Sequence, residues 1–99
     1  IGIKINRTWY RSMPASELYE RTRGSWIFGK RREKAAYALS LCFGIVRQIY
    51  EIRYWEKAPE KSRWSFVGPI AKDLERYIGT TVNHIPNSKG QNPIFYINC

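Results

Sequence analysis

The residues best suited to chemistry gather in one stretch, Arg21-Thr22-Arg23-Gly24-Ser25-Trp26-Ile27-Phe28-Gly29-Lys30-Arg31-Arg32-Glu33, where two basic clusters flank an aromatic pair and two glycines. Guanidinium and ammonium groups neutralise phosphates and release condensed counterions, and glycine lets main-chain N–H groups approach a phosphate. An indole adds a face on which a base can stack. The pattern points to recognition of a polyanion, with Arg21, Arg23, Lys30, Arg31, Arg32 and Lys34 contacting phosphate and Trp26 or Trp64 contacting a base. If those six cations all meet phosphates of a duplex, log affinity falls against log salt with a slope on the order of −5. A helix-ending glycine and a tryptophan plugging the core account for Gly24 and Trp26 with no ligand at all, so for these residues both readings stand.

A second aromatic group, Tyr54, Trp55 and Trp64 with Arg53 and Arg63, flanks the polar loop Lys57 to Arg63. Facing strands there would pair the indoles across a rung, while the alternative is a pocket that stacks an unpaired or flipped base. Catalytic patterns are absent from the sequence. His84 has no Cys, Ser, Asp or second His at catalytic or ligand spacing, and the acids mostly neighbour a Lys or Arg and read as surface ion pairs. Tyr77-Ile78-Gly79 resembles one motif of the GIY-YIG nucleases, but Gly68-Pro69-Ile70 lies too close to be the other motif and no Glu follows Glu75. Cys42 and Cys99 lack the neighbours of a zinc site, and two cysteines do not make a secreted framework, although a bridge between them stays open. The expectation is no metal and no cofactor.

Positioning these residues falls to one small domain, residues 1–99, whose 43% apolar content suffices for a single core. Seventeen Lys and Arg against eight Asp and Glu give +9, of which residues 1–34 carry +6 from nine basic and three acidic side chains. Charge polarised in this way favours a polyanionic partner. Without a signal peptide pattern or a run of eighteen apolar residues, the expectation is a cytoplasmic protein with no membrane contact. A first residue that is Ile rather than Met suggests a domain drawn from a longer protein.

Alternation over Ile1 to Ile5 predicts a strand. Pro14 to Arg23 predicts a helix, with Glu17 early, Arg21 and Arg23 late and Gly24 at its end. The basic run Lys30 to Lys34 predicts a short helical turn that reaches to about Tyr37. Ala35 to Tyr50 fits either a helical stripe or two strands, and strands are preferred because Gly44 suits a turn and Ile45 to Trp55 is rich in β-branched and aromatic residues, with Val46, Tyr50, Ile52 and Tyr54 on one face. Trp64 to Val67 resumes a strand, Pro69 opens a second helix through Ile70, Leu74, Tyr77 and Ile78, Thr80 to Val82 is one more short strand, and Pro93 to Cys99 is the last. The sum is an α+β domain: a small bent mixed sheet or half-barrel of five to six strands with two inserted helices.

The order of features, a helix ending in Thr22-Arg23-Gly24, then Trp26, a basic turn, Tyr37-Ala38-Leu39-Ser40-Leu41, a glycine, Ile45-Val46-Arg47-Gln48-Ile49-Tyr50-Glu51-Ile52 and Trp64-Ser65-Phe66-Val67-Gly68, resembles a PUA-like barrel of the EVE or ASCH kind over roughly residues 20–99. That resemblance implies recognition of RNA or modified DNA by a non-catalytic module, often attached to a nuclease or modification enzyme. The tail also looks like accessory regions of GIY-YIG nuclease proteins. Nucleic-acid binding through Arg21, Arg23, Trp26, Lys30, Arg31, Arg32, Lys34, Arg63 and Trp64 is therefore the leading expectation. Its rivals are a protein-interaction or dimerisation module using the aromatic face around Trp64 and, third, a small nuclease.

Overall fold

The computed structural model describes residues 1–60, 62–97 and 99. Lys61, in the predicted polar loop, and Asn98, in the predicted last strand, lie outside the described residues. The chain opens with strand β1 (Gly2–Lys4) and reaches helix α1 (Ala15–Arg23), whose preceding Pro14 cannot donate a helical hydrogen bond and whose Gly24 carries the chain away at φ 139°. The buried face of α1 is Leu18 and Thr22, one turn apart. Thr22 Oγ1 donates to the Leu18 carbonyl at 2.7 Å and lies 2.9 Å from Ser40 Oγ, which pins the helix to the sheet beneath it.

Strand β2 (Trp26–Ile27), a 3-10 helix (Lys30–Lys34) and the hairpin β3 (Tyr37–Cys42) and β4 (Ile45–Glu51) follow, with Phe43 and Gly44 as its turn. Two strands thus occupy Ala35 to Tyr50, as the glycine and the β-branched residues indicate. Then come β5 (Tyr54–Lys57), β6 (Arg63–Val67), a second 3-10 helix (Lys72–Tyr77) and β7 (Ile94–Phe95). The strands form two sheets: β4-β3-β1-β7, with β1 parallel to β3 and the other pairs antiparallel, and β2-β6-β5, antiparallel throughout.

The α+β class is as expected, but the architecture differs from a single bent sheet with two helices. Among the described residues seven strands divide into sheets of four and three, and they do not close into a barrel. The four-stranded sheet is packed on both faces, and β3 buries Ala38 and Ser40 on one side and Leu41 on the other. One face packs Ile3, Ala38 and Tyr50 with Leu18 and Phe66 of the opposing layer, and the other packs Leu41, Val46 and Ile49 with Ala71 and Val82. A β-bulge between Ser40 and Leu41 explains why strict alternation along β4 fails: Leu39 faces Ile49 and Leu41 faces Val46, so one residue of β4 is extra. Val46 and Tyr50, expected on one face, accordingly lie on opposite ones.

The second predicted helix is also corrected. The backbone of 69–71 is spent on β4, with Glu51 N–H donating to the Pro69 carbonyl and Ala71 N–H to the Ile49 carbonyl, both at 2.9 Å or less. The chain returns to the other end of β4 at Gly79 and Thr80, where Gly79 N–H donates to the Val46 carbonyl and Val46 N–H to the Thr80 carbonyl. Only six residues remain for the 3-10 turn, and of the expected apolar stripe Leu74 packs on the core while Ile70, Tyr77 and Ile78 are exposed. Thr80 to Val82 contributes a bridge from Thr81 to Ile45 rather than a full strand. Both cysteines are free thiols, Cys42 buried and Cys99 half-buried.

Candidate nucleic-acid interface

The topology assembles the site at one end of the four-stranded sheet. Because β1 and β3 run parallel, the segment leaving β1 and the turn leaving β3 emerge side by side, and antiparallel β7 brings the loop before it to the same end. Lys4 N–H donates to the Pro93 carbonyl at 2.7 Å and Ile5 N–H to the Leu41 carbonyl at 2.8 Å, which fixes these segments against one another. The end of α1 and the approach to β2 supply the facing wall.

Between these walls lies an open groove of about 1190 Å³. Among the described residues its cations are Lys4, Arg7, Arg21 and Lys89, and its one acid is Glu20. Asn6, Thr8, Ser25, Asn83 and Gln91 add amide and hydroxyl groups, and Phe43 and Trp26 add aromatic surface. Lys4 is partly committed, since its Nζ donates to the Gly90 carbonyl at 2.5 Å and lies 5.4 Å from the Phe95 ring centre. Arg21 is exposed and only loosely paired, 3.9 Å from Glu17. Arg7 and Lys89 are exposed, and neither forms an ion pair among the described residues. Such a surface presents exposed charge in place of cations already neutralised.

Of the nine residues expected at a binding site, the groove gathers Arg21 and Trp26. Trp26 is half-buried, its Nε1 donating to the Thr22 carbonyl at 2.9 Å, and it pairs across the strands with Trp64, so it serves the core and edges the groove at once. Arg23 turns the other way. Its Nε donates to the Phe66 carbonyl at 3.0 Å, its Nη2 to Glu56, and its ring neighbour is Tyr19. Burial pulls its pKa down, yet the hydrogen bond to Glu56 and the proximity of Tyr19 and Glu20 outweigh this and leave it raised.

Arg32 lies over the Trp64 ring, Arg63 Nη1 donates to the Ser25 carbonyl at 3.1 Å, and Arg31 sits 4.4 Å from the Tyr96 ring centre with its Nε donating to the Cys99 carbonyl. Lys30 and Lys34 are exposed but do not line the groove. Trp64 is half-buried, with Arg32 and Lys57 over its ring. The basic stretch is thus divided between bracing contacts and a separate surface.

Lys4, Arg7, Phe43 and Lys89 were not singled out from sequence. Their signal is topological: each belongs to a segment that leaves or enters a strand at the same sheet end, and nothing in local spacing links residues 7, 21, 43 and 89. A second hollow of about 640 Å³ lies on the far side of the sheet, walled by Leu39, Val46, Ile49, Leu74 and Ile85. Among the described residues no three of His, Cys, Asp and Glu come together as a metal would require, and no helix is long and apolar enough to cross a membrane. Comparison with protein-family models, curated proteins and solved structures finds no match for this chain.

Proposed function

We propose that the chain is a non-catalytic nucleic-acid-binding module and that the groove at the sheet end is where the polymer lies. The observation that carries this reading is the convergence of Arg7, Arg21 and Lys89, from three separate segments, on one open cleft whose described lining holds a single acid, Glu20. Phosphates would rest on these side chains, and the amides of Asn6 and Asn83 would contact sugars or base edges. Lys30, Arg31 and Lys34 supply a further positive field that steers the polymer without holding it. In keeping with the PUA-like resemblance, the module is read as the recognition part, for RNA or modified DNA, of a cytoplasmic nuclease or modification enzyme. Amide chemical-shift mapping during titration with a short oligonucleotide tests the placement. Shifts concentrated at residues 5–8, 20–26 and 88–91 support it, and shifts concentrated instead at Arg31, Lys34 and Tyr96 overturn it.

A second reading, docking to another protein, is favoured by the exposed Ile70, Tyr77 and Ile78, which are 41%, 45% and 38% accessible. It moves away from Trp64, whose ring Arg32 overlies. Light scattering of the wild type and of Tyr77→Ser tests its self-association form: a wild-type dimer that Tyr77→Ser loses supports it, and a monomer in both removes self-association from consideration.

A further inference from the structure

We propose that the groove selects single-stranded nucleic acid and that Phe43 is the platform on which an unpaired base stacks. The inference rests on the groove being a nucleic-acid site and adds to it the strand state of the ligand. Phe43 stands in a two-residue hairpin turn with Gly44, at φ 50° and 79° respectively. Turns with both residues at positive φ favour Asn-Gly, because asparagine tolerates the left-handed region at little cost and phenylalanine does not. The ring earns nothing from burial in return, since Phe43 is 74% exposed, the most open of the large apolar side chains. A residue that is unfavourable for the turn and contributes little to the core is placed for a contact outside the molecule.

The position is also held firmly. Phe43 N–H donates to Asn6 Oδ1 at 2.7 Å, and the Gly44 carbonyl accepts a hydrogen bond from Val82 N–H at 2.9 Å. A flat ring on a braced turn, at the edge of a cleft carrying exposed cations, is the combination by which single strands are held: charge tracks the backbone and an aromatic face takes a base. Bases of an intact duplex are already stacked on each other and cannot use it.

The test compares wild type, Phe43→Asn and Phe43→Tyr by fluorescence anisotropy, using a labelled mixed-sequence 12-nucleotide single strand and the matching duplex. Phe43→Asn installs the residue the turn prefers, so its melting temperature stays level or rises, while its affinity for the single strand drops about 5- to 150-fold and that for the duplex stays within about twofold. Phe43→Tyr keeps the stacking face and the affinity. If Phe43→Asn binds the single strand as wild type does, or weakens single strand and duplex alike, the stacking role is overturned and the groove reading stands. If wild type binds neither polymer at low salt, the groove reading itself falls, and the inference with it.

Discussion

The guanidinium of Arg32 lies 3.7 Å from the centre of the Trp64 ring, with only 11% of the arginine side chain exposed. Its Nη1 donates to the Gly29 carbonyl at 2.9 Å, so the residue clamps the turn after β2 onto β6. Arg32→Ala is therefore expected to lower stability by about 1–2 kcal/mol in thermal or urea unfolding, with oligonucleotide affinity unchanged. Lost affinity with an unchanged melt would return Arg32 to the binding surface.

Two arginines two residues apart should separate folding from binding. Arg23 is 17% exposed and ties α1 to Phe66 and Glu56, whereas Arg21 is 56% exposed and faces the groove. Arg23→Ala should cost about 2 kcal/mol of stability. Arg21→Ala should stay within about 0.5 kcal/mol yet weaken binding at low salt. Paired unfolding and anisotropy curves check both, and a reversed pattern would refute the assignment.

Much of the fold was legible because local chemistry agreed with tertiary structure. Pro14, Glu17, Arg21, Arg23 and Gly24 mark α1 within a residue, and Gly44 divides β3 from β4. The Pro69 helix misled because the Ile70–Ile78 spacing is helical while the backbone at its start bonds to β4, a competition that propensity does not register. Which cations share the groove was not legible. A contiguous basic run is conspicuous in sequence, yet Arg23, Arg32 and Arg63 find carbonyls, acids and rings to pack on, and the exposed cleft takes Arg7 and Lys89 from segments that only the parallel β1–β3 pairing brings together.

Gly68 is required by close packing. A Cβ there would fall 1.6 Å from the Glu51 carbonyl oxygen, and Gly68 N–H donates to the Tyr19 hydroxyl at 3.2 Å. Backbone on both sides leaves no flexible atom to yield, so Gly68→Ala should cost on the order of 3 kcal/mol or abolish folding. Gly29→Ala, which meets nothing within 4 Å, is the matched control and should melt close to wild type.

Alkaline pH should expose the burial of Tyr50. Desolvation, reinforced by Tyr19, raises its pKa well above the ordinary tyrosine value, and its ring packs 5.7 Å from Phe66. Above pH about 10 the unfolded chain releases this proton while the folded protein keeps it, so stability present below that pH is lost by about 1.4 kcal/mol per pH unit. Tyr50→Phe removes this contribution, and its melting temperature should fall less between pH 9 and pH 11, on the order of half the wild-type loss. An identical decline in both proteins would contradict the burial argument.

The most direct measure of the central claim is the salt dependence of single-strand affinity for wild type and for the triple variant Arg7→Ala, Arg21→Ala, Lys89→Ala. With Lys4, Arg7, Arg21 and Lys89 on phosphates, log affinity against log salt should fall with a slope of about −3, and the variant should be shallower by about 2 while melting like wild type. A variant that keeps the wild-type slope would place the polymer elsewhere on the molecule and contradict the account.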